Sequence, residues 1–249
     1  MFSKTRILSA IIMIVVVLIV AVVNNSFINF TLFAIVLYLA FNEAKNIFNT
    51  KNASALVALC IFVIAVLLDK PFYVGLMGVV IILGYLVYKK SENLKELMPY
   101  IYPTLPILML YEVLSYDGMF VLFWLIMIVV VCDSCAYFIG KLIGKRSFSL
   151  TSPNKTLEGV IGGIVCAEIV GAITGIVGTI VGAFEFDVIE SIYIPLVVAI
   201  FAVIGDLLES YFKRQAGVKD SGNLIPGHGG ILDRIDAVII ASFAMATLI

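Results

Sequence analysis

The chain has 249 residues, of which 62% are hydrophobic and 13% charged, with a formal net charge of −1 and a mean hydropathy of +1.14. Soluble globular domains carry about 25% charged residues, so that class is excluded, and no nucleic-acid partner is expected. Several apolar runs approach the ~20 residues that a helix needs to cross ~30 Å of hydrocarbon, which predicts an all-α, polytopic integral membrane protein.

In chain order the candidate spans are residues 7–23, 27–41, 53–68, 72–88, 98–114, 119–139, 157–184, 189–208 and 231–249, about nine transmembrane helices. Lys4 and Arg6 precede the first span. Lys45 and Lys51 follow the second, and Lys89, Lys90 and Lys95 follow the fourth. Lys141, Lys145, Arg146 and Lys155 follow the sixth, while Lys213, Arg214, Lys219 and Arg234 lie around the last connection. If the spans alternate, 15 of the 16 Lys and Arg residues fall on one side and only Lys70 on the other. The positive-inside rule makes that side cytoplasmic and puts the N-terminus in the cytoplasm. The first span resembles a signal peptide, yet no small-x-small cleavage site follows, so retention as an anchor is expected. The last span is short beyond Asp236 and implies tilt or local thinning.

Cys60, Cys132, Cys135 and Cys166 all fall inside predicted helices. Cys132-x-x-Cys135 lacks a second pair, so the cysteines read as small packing residues and no disulfide framework is expected.

Function is distributed unevenly along the chain. Residues 1–118, with about five helices, read as a transmembrane scaffold, and residues 119–249, with about four, as a catalytic region. In the latter, Asp133, Glu158, Glu168, Asp206, Glu209, Asp233 and Asp236 enter or border the membrane, where charge is costly and usually functional. Glu112 and Glu168 are single acids to which a structural role is given. The seventh span carries a ridge of small residues at every fourth position: Gly159, Gly163, Ala167, Gly171, Gly175, Thr179 and Ala183. Such a ridge permits close helix contact; its partner is another helix of the chain or a second copy in a homodimer, with the former favoured.

Residues 210–236 hold seven charged side chains, the lone histidine and several glycines between two apolar segments. Asp206, Ser210 and Lys213 share a helix face at i, i+4 and i+7. Asp233 and Asp236 share another at the start of the last helix. Carboxylates on neighbouring helix ends are hard oxygen ligands suited to Mg²⁺. The intervening Pro226-Gly227-His228-Gly229-Gly230 loop leads into a helix N-terminus, where backbone N–H groups and the helix dipole favour an anion. With Lys213, Arg214, Lys219 and Arg234 nearby, the combination specifies a polyphosphate substrate, with His228 as a further substrate contact.

A second polar patch runs from Asp133 through Lys141 to Glu158. Gly140 to Arg146 is not a P-loop: three residues separate the glycines, Arg146 stands where Ser or Thr belongs, and no strand precedes it. Ser152 is expected as N-cap of the seventh helix with Pro153 at N1, aiming Asn154, Lys155 and the first N–H groups at an anion.

The pattern S-x-x-K-R-x4-K-D-x-G-x2-I-P-G-H-G-G-I-x-D-R-I-D at 210–236 resembles the phosphatidate cytidylyltransferase, or CDP-diacylglycerol synthase, family. The SPNKTLEG element at 152–159 and the Asp133-x-x-Ala136-Tyr137-Phe138-x-Gly140-Lys141 element are similar to it too. The likeness covers the C-terminal half; the first third matches only in hydropathy. It implies transfer of the cytidylyl group from CTP to phosphatidic acid in the cell (inner) membrane, at a site facing the cytoplasm. The lipid phosphate is already largely ionised, with a second pKa of ~6 by analogy with phosphorylated side chains, so no general base is required. Asp206, Asp233 and Asp236 are expected to bind Mg²⁺, with room for a second cation, and Lys213 is placed beside them in the catalytic set. Lys155, Arg214, Lys219 and Arg234 are expected to hold phosphates. Asp133, Lys141, Ser152, Asn154, Glu158, Ser210, Asp220, His228, Gly229 and Gly230 complete the expected substrate-binding set. A CTP-dependent polyprenol or phytol kinase would use similar parts but would need a base for its alcohol. A CDP-alcohol phosphotransferase pattern is absent. A secondary transporter fits poorly, because charge gathers at one face and no internal repeat is evident.

Overall fold

Local sequence signals set the helix ends. Asn25 caps the helix Ser26–Phe48 (α1), its side chain accepting from the N–H of Phe27 at 2.9 Å and of Ile28 at 3.3 Å, which satisfies two of the donors a helix start leaves open. The same helix stops at Asn49, in the left-handed region at φ 51°. Ala55–Leu67 (α2) follows, and then Pro71–Tyr88 (α3), which begins with its proline at the first helical position, where no N–H is missed. Leu105–Glu112 (α4), Gly118–Ile143 (α5), Leu157–Ile180 (α6), Val188–Gln215 (α7) and Leu232–Leu248 (α8) complete the order. This computed structural model describes residues 15, 17–227 and 229–249. Most of the first expected span, with Lys4 and Arg6, and His228 lie outside the described residues. Among the described residues all regular structure is helical, apart from two isolated bridges, Ser147 to Thr156 and Ile225 to Gly229.

Among the described residues, five helical runs are long and apolar enough to cross a membrane: Ser26–Phe48, Pro71–Tyr88, Leu94–Ile143, Leu157–Ile180 and Val188–Gln215. The apolar helix Ala55–Leu67 is shorter, at 13 residues. Leu94–Ile143 has 50 residues, which at 1.5 Å per residue would extend about 75 Å, more than twice the hydrocarbon thickness. The run is interrupted, however. Tyr102 has extended backbone (φ −137°, ψ 113°) and Gly118 a left-handed φ of 86°, so its two apolar parts are separated where the sequence places the turn around residues 116–118.

The chain forms two compact units, one running up to Tyr111 and including Gln215–Ile235, the other made of Glu112–Arg214 and Asp236–Ile249. These boundaries differ from a single division at residue 118, because the polar segment 215–235 packs with the N-terminal helices. In the first unit, Phe30 stacks on Phe62 and Tyr111 packs edge-on to Phe33 and Phe62, giving an aromatic core. Glu96, 5% exposed, takes the N–H groups of Lys51, Asn52 and Ala53 at 3.2, 3.1 and 2.8 Å, which pins the connection between α1 and α2.

In the second unit the small-residue ridge of α6 finds its partners within the chain. A Cβ at Gly163 would lie 2.6 Å from the Cys132 carbonyl oxygen of α5, and one at Gly159 would lie 2.6 Å from that of Ala136. Farther along, Gly171 abuts Pro195 of α7, and Gly175 abuts Trp124 of α5 and Ser191 of α7. Glycine is what permits these helices to approach so closely. The Trp124 indole N–H donates to the Gly171 carbonyl at 3.0 Å. All four cysteines are free.

Candidate active site

Each unit holds a group of acids. In the second unit, Gly205 lets α8 press against α7: a Cβ there would lie 2.6 Å from the Asp236 carbonyl oxygen and 3.0 Å from the Ala237 Cα. That approach brings the neighbouring Asp206 into electrostatic contact with Asp236, whose side chain also hydrogen-bonds to Glu209. The Lys213 ammonium is paired with Glu209 one turn earlier on α7. Glu209 is 1% exposed and Asp236 8%, so this is charge chemistry in a place of low solvation. Since α7 continues to Gln215, Asp206, Ser210 and Lys213 lie on one face, as their spacing predicts.

Lys155 reaches the same acids from the connection between α5 and α6. Its ammonium lies 2.8 Å from Asp206 and 3.9 Å from Asp133. Burial alone would lower the Lys155 pKa, but the carboxylates of Asp206, Asp133 and Asp236 outweigh it and raise it above the ordinary lysine value. The ammonium is therefore held charged, and its position shows that these oxygens accommodate a cation. A cleft of about 510 Å³ opens here, lined by Asp133, Lys141, Ser152, Asn154, Lys155 and Thr156, with Ala136 and Val160 as apolar wall. Five of the residues expected to meet substrate thus share one cavity.

The start of α6 departs from the sequence expectation. Its N-cap is Thr156, whose hydroxyl accepts from the Gly159 N–H at 3.1 Å. Ser152 is not the cap; it sits in a turn, its carbonyl accepting from the Lys155 N–H at 3.1 Å. The turn is closed by Phe148 and Leu157 N–H groups donating to the Lys155 and Arg146 carbonyls at 2.8 and 2.9 Å. These long-range turn bonds outcompete the Ser-Pro start signal, and they aim the Lys155 side chain back at Asp206. Glu158 turns away from the cleft's acids and accepts the N–H groups of Lys145 and Arg146 at 3.0 and 3.2 Å. Its carboxylate secures the end of the α5 connection.

In the first unit, Asp233 occupies the first turn of α8. Its Oδ2 accepts from the N–H of Ser221 at 2.9 Å, the Ser221 hydroxyl at 2.9 Å and the Gly230 N–H at 2.7 Å. The loop is drawn tight by the Ile225 N–H donating to the Gly229 carbonyl at 2.8 Å. Gly229 has φ 82° and no room for a Cβ beside Asp233, so the glycine at this position serves both conformation and contact. The N–H groups of Gly230, Ile231 and Leu232, which the sequence offers to a phosphate, are taken instead by the carboxylates of Asp233 and Glu43. Lys219, Asp220 and Arg234 are exposed, as is Arg214 in the second unit.

Two residues outside the expected set emerge, Glu43 and Glu209. Hydropathy ends the second span at Phe41 and makes Glu43 a loop residue, whereas α1 extends to Phe48. Taken as a loop residue, Glu43 gives no local signal; only the continuation of α1 to Phe48 brings it into the packed unit. Glu209 is visible as a charge near the membrane, and only its full burial reveals its role.

Among the described residues no group of three or more His, Cys, Asp and Glu side chains is arranged to hold a metal ion. The carboxylate pair Asp206 and Asp236, with the Lys155 ammonium already against it, nevertheless matches the hard-oxygen chemistry of Mg²⁺.

Residues 4–249 match the cytidylyltransferase family. Over 249 residues the chain is 32% identical to a phosphatidate cytidylyltransferase of Helicobacter pylori, covering 99% of this chain and 92% of that protein. The phosphatidate cytidylyltransferase of a second H. pylori strain is 33% identical over the same shares. That of Staphylococcus aureus is 39% identical over 164 residues, 63% of this chain and 61% of that protein.

Proposed function

The chain belongs to the cytidylyltransferase family, and we propose that it catalyses CTP plus phosphatidic acid giving CDP-diacylglycerol and pyrophosphate. A phosphate oxygen of phosphatidic acid attacks the α-phosphorus of CTP, and the bond from that phosphorus to the β-phosphate oxygen breaks. Two anions must meet, so the protein's task is charge neutralisation and in-line positioning. The observation that carries the reading is the Lys155 ammonium, held charged against Asp206 at 2.8 Å at the edge of a 510 Å³ cleft. On arrival of a phosphate this ammonium can exchange a carboxylate for a phosphate oxygen. Lys213 supplies a second ammonium on the same face of α7 as Asp206. Asp206 and Asp236 are the acids that would hold Mg²⁺, with Asp233 proposed from the sequence pattern and a second cation left open; when bound, the metal supplies Lewis-acid stabilisation of phosphate charge.

The acyl chains remain in the bilayer while CTP arrives from the cytosol. About nine spans, an N-terminus in the cytoplasm and an inner-membrane site facing the cytoplasm follow from the segregation of Lys and Arg. Cysteines placed at 145 and 219, in a background lacking the native four, should be labelled only after the inner face is exposed; labelling of either from outside rejects this topology.

The reaction is tested with purified protein, phosphatidic acid and CTP labelled at the α- or γ-phosphate. Label from the α-position should enter lipid and label from the γ-position should leave as pyrophosphate. Entry of the γ-label into lipid would instead identify a kinase.

A further inference from the structure

Glu43 lies in the first third of the chain, in the part that reads as scaffold, and is 8% exposed. Its carboxylate spans to the other end of the sequence. Oε1 accepts from the Ile231 N–H at 2.9 Å, while Oε2 accepts from the Leu232 N–H at 2.8 Å and the Ser221 hydroxyl at 2.9 Å. A residue of α1 therefore caps α8, and it does so with a full negative charge at the positive end of that helix. Ser221 ties the cap to Asp233, since its N–H and hydroxyl also reach Asp233 Oδ2. One hydroxyl hydrogen cannot serve both carboxylates at once, so Ser221 is a shared link, not a private partner of either.

The surrounding glycines are fitted to this carboxylate. A Cβ at Gly222 would lie 2.7 Å from Glu43 Oε1, and one at Gly230 would overlap Glu43 Oε2 and the Ser221 hydroxyl. A glutamine in place of Glu43 would present an amide NH₂ to backbone N–H groups that need acceptors. The geometry demands an acceptor-only group with two oxygens, which is a carboxylate.

We propose that Glu43 is a positioning residue for cytidylyl transfer: it locks residues 221–232 and the first turn of α8, and through Ser221 it fixes the side chain of Asp233. The proposal rests on the reading that Asp233 belongs to the active site. It assigns a specific duty to the N-terminal third of the chain.

Glu43→Gln, Gly222→Ala and Asp233→Asn, each in the full chain, test it together. For each variant, kcat and KM for CTP and phosphatidic acid are measured per folded enzyme, with the folded fraction taken from thermal unfolding. Glu43→Gln should lower kcat about 10- to 100-fold, the scale set by a misplaced catalytic group, with KM for phosphatidic acid within about twofold of wild type. A purely structural Glu43 would lower only the folded fraction, and wild-type kcat per folded enzyme overturns the proposal. Should Glu43→Gln fail to fold, Gly222→Ala decides, because it displaces the carboxylate without removing any polar group: a reduced kcat supports the proposal and an unchanged one ends it. Asp233→Asn isolates the underlying reading. Its retention of wild-type turnover strikes Asp233 from the site whatever Glu43→Gln does, whereas an inactive Asp233→Asn beside a fully active Glu43→Gln removes Glu43 alone.

Discussion

Acids are held in contrasting ways in the two units. Asp233 and Glu43 in the first are surrounded by backbone N–H groups and one serine hydroxyl. Asp206 and Glu209 in the second are met by lysine ammonium groups. Backbone donors have fixed directions and cannot leave, so the first arrangement sets position. A lysine ammonium sits on a flexible four-carbon stem and can turn to another anion, so the second arrangement holds movable positive charge. The same residue type thus does geometric work in one unit and electrostatic work in the other.

The contrast can be broken most severely at Asp206. Asp206→Asn keeps the size of the side chain and removes its charge, so turnover at ordinary Mg²⁺ should fall by roughly two orders of magnitude or more, as expected when a cation ligand is lost. Activity close to wild type would take Asp206 out of the site. Protein yield and thermal unfolding, measured on the same samples, should stay near wild type because the Asp206 and Lys155 side chains are both only partly buried.

Next comes the buried pair. Lys213→Gln leaves the Glu209 carboxylate, 1% exposed, without its ammonium, and removing one partner of a buried pair costs about 3–5 kcal/mol. Denaturant unfolding should register that loss, and the double change Lys213→Gln with Glu209→Gln should recover most of the stability without recovering turnover. If both single and double variants unfold like wild type, Lys213 and Glu209 are not energetically paired.

Lys155 should give the smallest of the three effects and the most specific. In Lys155→Met a phosphate oxygen loses a charge-assisted hydrogen bond, raising the KM for CTP or phosphatidic acid by about 10- to 100-fold. Lys89 and Lys90 follow α3, in the first unit, and changing both to Gln should leave KM unchanged. An equal effect at the two places would mean that the lysines act as a diffuse surface field and not as a site. The raised pKa of Lys155 adds a pH corollary. Its folded-state contribution is fully present below the unfolded lysine value of about 10.4 and is lost only as pH rises through the still higher folded value. Titration of Lys155 itself should therefore add nothing to the pH dependence of stability below about pH 10, which unfolding of wild type and Lys155→Met in metal-free, alkaline buffers would check.

Much of this is legible in the sequence. The helical class follows from apolar runs, and the clustering of Asp206, Ser210 and Lys213 follows from helical spacing. The small-residue ridge of α6 announces close packing, although its partners, Pro195, Trp124 and the backbone of Cys132 and Ala136, needed the fold to be named. At the α6 start, Ser152-Pro153 is a sound local signal that the turn bonds of Phe148 and Leu157 override. The glycine-rich loop looks open to phosphate in sequence, which gives no hint that Glu43 fills the helix end.

By itself, the sequence determined that the chain is apolar and helical, that its charge concentrates in residues 133–158 and 206–236, and that this pattern is a cytidylyltransferase's. Those properties are written in composition and in spacings of three, four and seven residues, which a helix converts directly into faces. Tertiary structure alone decided which oxygen meets which donor: Lys155 with Asp206, Glu209 with Lys213 and Asp236, Glu43 with Ile231 and Leu232. Apart from the helix-spaced Glu209 and Lys213, these pairings join residues from 27 to 189 positions apart. No local periodicity relates them, because a hydrogen bond depends on separations of about 3 Å that only packed helices, allowed to approach by Gly205, Gly222 and Gly230, can set.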